Sequence, residues 1–472
     1  MPHRPQVVEL PYQQDSVAYF AMLTTLPYPV WLDSCQPMSQ HGRYDILAAD
    51  PLSRITTVGD TSHIVSGDTR RHSHADPFVL LQELLPSHCP PAEFDGEALP
   101  FCGGALGYFG YDLGRRLESI PAHAKADISL PDMHFGIYAW AIITDHLHQK
   151  TVLVAQPKID IGPILALLTS PTNLKSFLEK TNKSFIIKRF RESSNKKHYF
   201  EKFDTIQKHI LEGDCYQINF AQRFSSQYEG DPLAGYLALR AKLPSPFAGF
   251  MPLDEGAILC LSPERFIACR DGKATTSPIK GTIARGATPE QDQQNQATLS
   301  ASTKDRAENL MIADLLRNDL SKTCREVKTP RLFELQSFAN VHHLVSTITG
   351  RIRPDKNALD VLRAAFPGGS ITGAPKVRAM SIIDELEPYR RGPYCGSLGY
   401  ISACGSSDTN IAIRTVIGNA GQLHCYGGGG IVADSEAESE YQESITKVAL
   451  LLRTLEESFN AKAANLPNGT GD

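Results

Sequence analysis

No stretch of the 472-residue sequence comes near the roughly 20 consecutive apolar residues that a membrane-spanning helix requires. Its first ten residues hold Arg4, Glu9 and two prolines, so they lack the apolar core of a signal peptide. Basic charge is also in short supply. With 47 Lys and Arg against 52 Asp and Glu, the chain has no electrostatic footprint for nucleic acid or an anionic membrane. Its ten cysteines are scattered, without a Cys-x-x-Cys pair or zinc-type spacing. A reduced, cytoplasmic protein is the expectation, with Cys260, Cys269 and Cys425 as small core residues. Internal repeats are missing as well. Gly368-x-x-x-x-Gly373 runs into Ala374-Pro375-Lys376, where a phosphate-cradling loop would have Lys followed by Ser or Thr. Ser277-x-x-Lys280 lacks the Ser-Asp-Asn and Lys-Thr-Gly motifs that accompany it in serine acylases.

What is present is an ordinary globular composition, and its organisation changes along the chain. Residues 1–169 read as short β-like runs broken by Gly, Pro and Asp, with an aromatic, glycine-rich strand and turn at 103–111. A polar, lysine-rich connecting segment spans 170–197, with room for a short helix near 174–179. A second region, 198–460, carries three runs of helical periodicity at 198–212, 304–320 and 438–457. Strand character is predicted at 215–224, and a hairpin is predicted around Ser262-Pro263-Glu264. The small, polar tail 461–472 is expected to be disordered.

Three constellations can carry chemistry. The first is Ser277-Pro278-Ile279-Lys280-Gly281-Thr282, a lysine in an apolar, turn-forming setting. Desolvation there is expected to lower its pKa and free the amine as a nucleophile. Glu264, after Ser262-Pro263, is a candidate general acid or base. The second consists of carboxylates three residues apart, Asp305 with Glu308 and Glu440 with Glu443. Each pair shares a helix face, and two such faces together would make the oxygen-rich site that Mg²⁺ prefers. Acids near helix N-termini are also simply favoured by the macrodipole, and convergence of the two faces is not legible in a sequence. The third suits a small dianion. Gly427-Gly428-Gly429-Gly430 can turn several backbone N–H groups toward one carboxylate. Arg414, read as lying in an apolar strand, needs an anionic partner, either a protein carboxylate or a carboxylate of the ligand.

Taken in order, these blocks resemble the chorismate-utilising enzymes, the group that contains anthranilate, isochorismate and aminodeoxychorismate synthases. The matching segments are Gly213-Asp214-Cys215-Tyr216-Gln217-Ile218-Asn219, Ser262-Pro263-Glu264-Arg265-Phe266, the Lys280 loop, and Glu308-Asn309-Leu310-Met311-Ile312-Ala313-Asp314. They continue with His342-His343-Leu344, Phe366-Pro367-Gly368-Gly369-Ser370, Thr372-Gly373-Ala374-Pro375-Lys376, and Gly428-Gly429-Gly430-Ile431-Val432-Ala433-Asp434-Ser435. The resemblance implies an α+β fold, an anthranilate-synthase-like antiparallel β-sandwich with surrounding helices. In the Pro-Ile-x-Gly-Thr loop, anthranilate synthases carry alanine, whereas the large component of aminodeoxychorismate synthases carries lysine.

The activity implied is therefore conversion of chorismate and ammonia to 4-amino-4-deoxychorismate, toward 4-aminobenzoate and folate. Lys280 would be the nucleophile, with Glu264 and His343 beside the departing hydroxyl. Gly281, Thr282, Tyr394, Arg414, Gly428, Gly429 and Gly430 fall on chorismate-binding positions. Glu308 and Glu443 fall on the Mg²⁺-ligand positions, with Asp305 and Glu440 in support. No glutaminase cysteine motif is visible, so a partner glutamine amidotransferase is implied as the ammonia source. Some relatives hold tryptophan near the positions of Ser34, Arg43, Tyr44 and Phe247. The readings that compete are an anthranilate synthase large subunit, a pyridoxal-phosphate aminotransferase using Lys280 and a non-catalytic tryptophan-binding paralogue. Lys376 and Arg378 are read as packing residues and stand outside the candidate site.

Overall fold

The structure is a computed structural model that describes residues 3–35, 42–94, 98–170, 173–337 and 341–460. The tail expected to be disordered lies outside the described residues. Alternation along the strands shows why the chain builds layers. In Tyr44–Ala48, Ile46 and Ala48 enter one core while Leu47 enters another. In Gly256–Ser262, Ile258 and Cys260 point one way and Leu259 and Leu261 the other. A strand apolar on both faces must be covered on both. One side of this sheet packs on a second sheet, and the other is covered by helices that include Pro232–Lys242 and Ala437–Phe459.

The result is α+β, with two large antiparallel sheets of 13 and 12 strands. Both sheets mix the two halves of the chain. Trp31 pairs with Phe250 in the first, and Ser397 pairs with Phe109 in the second. The regions before 170 and after 197 therefore share both sheets. Within the connecting segment, a helix covers Leu174–Ser184, and Arg191–Glu192 pairs with the Gln217–Glu229 strand.

The three long helices form close to their predicted limits, as Lys196–Leu211, Thr303–Ser321 and Ala437–Phe459. Side-chain caps fix the start of the first two, from Asn195 and Ser302.

Two sequence expectations need correction, and both corrections matter for the site. The Ser262-Pro263-Glu264 segment is not the turn of a hairpin. Gly256–Ser262 belongs to the first sheet and Arg265–Arg270 to the second, so the chain crosses between layers there. Likewise Arg414 is not in a strand. It lies in a link from Ser407–Asn410 in the second sheet back to Thr415–Asn419 in the first, with φ of 48°. Backbone bonds tie the two crossings together: Ile411 N–H donates to Glu264 O at 3.0 Å and Leu261 N–H to Arg414 O at 3.1 Å. Ser262 Oγ adds a bond to Ile411 O at 2.6 Å.

Candidate active site

The paired crossings deliver Glu264 and Arg414 to the place where the sheets part. Glu264 is 6% exposed and accepts a hydrogen bond from Ser370 Oγ at 2.8 Å. Burial disfavours its charged form and pushes its pKa up to about 7, with the Ser370 bond and the Lys280 charge opposing only in part. A carboxyl group that titrates near neutrality can both donate and accept a proton. Arg414 is half-buried, and its guanidinium makes no hydrogen bond or ion pair with any other described residue. Desolvation alone lowers its pKa. The reading in which a protein carboxylate neutralises it is thereby removed.

Lys280 arrives on the Ile279–Ala284 strand and meets the Thr303–Ser321 helix. Its Nζ donates to Glu308 Oε1 at 2.7 Å, with both side chains mostly buried. Burial is the largest single influence on Lys280 and favours the neutral amine. The Glu308 charge and hydrogen bond, aided by Glu264 and Glu443, outweigh it and raise the pKa. The expectation of a lowered lysine pKa is thus corrected. Desolvation is present, but the chain holds this amine as an ammonium on a carboxylate. Glu308 mirrors it, its pKa lowered despite burial.

The two acidic helix faces do converge, and the glycines of the Gln422–Ile431 strand are what let them. A Cβ on Gly429 would stand 3.0 Å from Glu440 Oε2 and 3.1 Å from Glu443 Oε1. One on Gly430 would stand 2.9 Å from Glu308 Oε1, and one on Gly427 would overlap Ser444 O. Gly281, at φ 86°, similarly lies against the side chain of Asp305. The glycine run continues the strand in extended conformation, paired with Gln217–Glu229 through Phe220↔Gly429 and Asn219↔Gly430. Pairing on its other edge stops at Val416↔Cys425. Beyond that point, the side toward Arg414 has no strand partner among the described residues, and its N–H groups remain available to an anion.

Three of the four acids have a cationic neighbour: Lys280 for Glu308, Lys447 for Glu443 at 2.6 Å, and Lys304 for Glu440 at 4.0 Å. Glu440 also accepts from Ser435 Oγ at 2.7 Å, and burial raises its pKa. The set of hard carboxylate oxygens against a side-chain-free wall suits a small divalent cation. Among the described residues, the one group that brings three ligand atoms within 4.8 Å is elsewhere, at His209, Glu212 and Asp214. There Asp214 is already bonded to His209 and Arg378.

His343 pairs through Nδ1 with Thr282 Oγ1 at 2.7 Å. Burial, then the Arg414 charge, takes its pKa down to about 4, so it is neutral at physiological pH. Tyr394 is buried and stacks on Tyr426, with centroids 4.9 Å apart. Lys376 is spent on Asp319 at 2.7 Å and Arg378 on Asp214, which agrees with packing roles. Away from this centre, the strand register sets Ser34, Tyr44 and Phe247 side by side at one end of three adjacent strands. There Ser34 is bound to Asp45, Arg43 pairs with Asp145 at 2.7 Å, and Arg265 lies over the Phe247 ring.

Gln217 is a residue of the site that sequence reasoning passed over. It is 1% exposed, and its Nε2 donates to the same Glu308 oxygen at 3.1 Å. Its own Oε1 has no hydrogen-bond partner among the described residues. Ser370 and Lys447 were missed as well. Strand character was legible at 215–224, but nothing local marks an uncharged glutamine as facing an acid on a helix 91 residues away.

A family model for chorismate binding enzymes matches residues 29–453. The chain belongs to the chorismate-binding enzyme family. Among its relatives, the aminodeoxychorismate synthase component 1 of Klebsiella aerogenes is 47% identical over 96% of this chain and 99% of that protein. Its counterpart from Escherichia coli K12 is 46% identical with the same coverage. The anthranilate synthase component 1 of Pseudomonas aeruginosa is 34% identical, over 93% of this chain and 92% of that one. The crystal structure of anthranilate synthase component I from Streptococcus pneumoniae superposes with a TM-score of 0.78 at 31% identity, covering 89% of this chain and 96% of that one. The α+β fold is therefore that of anthranilate synthase component I, as the motifs implied. No helix among the described residues is long and apolar enough to cross a membrane.

Proposed function

We propose that this chain is the chorismate-aminating component of a two-part aminodeoxychorismate synthase, converting chorismate and ammonia to 4-amino-4-deoxychorismate. One observation carries the reading. A mostly buried lysine stands at position 280, bonded to Glu308 within the converged acids, where the family resemblance gives the anthranilate branch an alanine. The full-length likeness to two aminodeoxychorismate synthase components supports it.

The dicarboxylate substrate is held by Arg414 and by the free N–H edge of Gly428 to Gly430, with Gly281, Thr282 and Tyr394 along its rim. Glu308 and Glu443 are the residues to hold Mg²⁺, supported by Asp305 and Glu440. When bound, the ion neutralises carboxylate charge and favours departure of the C4 oxygen. Lys280, after losing a proton to water, adds at C2 of chorismate. The ring double bonds shift toward C4 and the C4–O bond breaks in the same step, the hydroxyl leaving as water with a proton from Glu264. Glu264 suits this step because its pKa lies near 7, whereas His343, lowered to about 4, is a neutral imidazole whose remaining N–H is a very weak acid. His343 instead orients Thr282. Ammonia next adds at C4, the double bonds shift back, and Lys280 is expelled from C2. Two displacements thus replace one difficult direct substitution.

Ammonia would come from a separate glutaminase subunit, making the working enzyme a cytoplasmic heterodimer. The end of the sheet around Ser34, Arg43, Tyr44 and Phe247 is the place to look for bound tryptophan. Incubation of the purified protein with chorismate, Mg²⁺ and ammonium, followed by product identification, tests the proposal. 4-Amino-4-deoxychorismate is expected. Anthranilate as the sole product would place the chain in the other branch.

A further inference from the structure

Far from the acids, the second sheet brings together two of the ten cysteines. Strand pairing sets Ser402 opposite Gly104, and Ala403 N–H donates to Gly103 O at 2.9 Å. Both strands end there: the chain turns after Ser402, with Gly405 N–H on Ser402 O at 3.0 Å, and the turn brings the Cys404 thiol within hydrogen-bond reach of the Cys102 thiol.

A single hydroxyl joins the two thiols. Ser402 Oγ lies 3.6 Å from Cys102 Sγ and 3.2 Å from Cys404 Sγ, and it is held in place by Cys102 N–H at 3.1 Å. The two environments differ. Cys404 is the one cysteine that is not fully buried, and Cys102 lies in the core behind it. Cys404 is also held toward the thiolate, first by a hydrogen bond from Cys102 and then by Ser402 and Ser406. An accessible sulfur with thiolate character, backed by a second thiol, has the makings of an oxidant-sensitive pair.

We propose that Cys404 and Cys102 form a peroxide-responsive dithiol, with Cys404 the attacking sulfur and Cys102 the resolving one. The Cys404 thiolate attacks one oxygen of hydrogen peroxide. A sulfur–oxygen bond forms, the O–O bond breaks, and the released hydroxide leaves as water after taking up a proton. Cys102 sulfur then attacks the Cys404 sulfenic acid. The S–S bond forms, the S–O bond breaks, and the departing hydroxide carries off the Cys102 proton as water. Two thiols are oxidised by two electrons, and one peroxide is reduced to two waters. The product staples the turn between Ser397–Ser402 and Ser407–Asn410 to the chain that enters Gly104–Phe109, across the seam between the two halves of the sequence.

The test is intact-mass and peptide analysis of the folded, full-length protein after graded hydrogen peroxide. The parent should lose about 2 Da, reversibly with dithiothreitol, and yield one linked peptide pair containing Cys102 and Cys404. Cys404→Ser should form no such link and consume peroxide about tenfold more slowly. Cys102→Ser should accumulate a sulfenic acid at Cys404 that dimedone traps. Linkage through a different cysteine, irreversible oxidation of Cys404 with Cys102 still free, or equal reactivity of Cys404→Ser and parent would each overturn the proposal.

Discussion

Replacing Glu264 by glutamine tests the electrostatics of the site without any assumption about its substrate. Glu264 is buried, and its pKa rises from 4.5 to about 7 on folding. At about 1.36 kcal/mol per pKa unit, that shift amounts to about 3 kcal/mol. The folded state binds the proton more tightly than the unfolded chain. Its stabilising share is therefore fully present below pH 4.5 and is lost as pH rises through about 7. Glutamine keeps an oxygen for the Ser370 hydroxyl and never ionises. The stability of Glu264→Gln relative to parent should climb by about 3 kcal/mol between pH 4.5 and 8.5, whatever fixed offset separates them at low pH. With an unfolding entropy of about 2.1 cal/mol/K per residue, this corresponds to a relative rise of about 3 °C in midpoint. Thermal unfolding of both proteins, without Mg²⁺ or chorismate, at half-unit pH steps is the assay. A difference between the two that stays flat across the range would refute the reasoning, because Glu264 would then titrate like an exposed carboxylate.

Lys280→Ala should reduce 4-amino-4-deoxychorismate formation on the order of 10³-fold or more while chorismate still binds, as read by calorimetry beside product analysis. Glu308→Gln and Glu443→Gln should each abolish the protection from thermal unfolding that Mg²⁺ plus chorismate gives the parent; undiminished protection would make these acids structural only. Arg414→Gln should weaken chorismate binding by about 30-fold or more, as expected for loss of a desolvated charge pair, with no loss of stability in the free protein because the guanidinium has no internal partner to lose. The isolated chain should use ammonium, with a rate that rises with pH as free ammonia accumulates. It should use glutamine only when the glutaminase subunit is added, and initial rates with each donor will show whether that holds.

The elements of this protein were legible wherever a local rule acts. Period-3.6 apolar spacing marked the helices at Lys196–Leu211, Thr303–Ser321 and Ala437–Phe459, and those limits moved by only a few residues. The helical spacing of Asp305 with Glu308 and of Glu440 with Glu443 by itself puts each pair on one face. The Pro278-Ile279-Lys280-Gly281-Thr282 loop and its companion blocks carried the family resemblance, which needs only residue identity and order.

What depends on distance through space was decided by the tertiary structure. Glu264 and Arg414 stand together because two segments, 150 residues apart, cross between the same pair of sheets; a local reading made one a hairpin turn and the other a strand. The glycines read as turning their N–H groups toward a carboxylate form an extended strand, and two helices bring their acids to where a Cβ on it would stand only about 3 Å from them. The sign of the Lys280 shift was inverted for the same reason. Burial is foreshadowed by apolar neighbours in the chain, but the carboxylate that outweighs it comes from a helix 28 residues on. Periodicity and residue type are properties of a segment, so the sequence alone determines them. Charge pairing and pKa depend on which segments meet, and only the packed chain settles that.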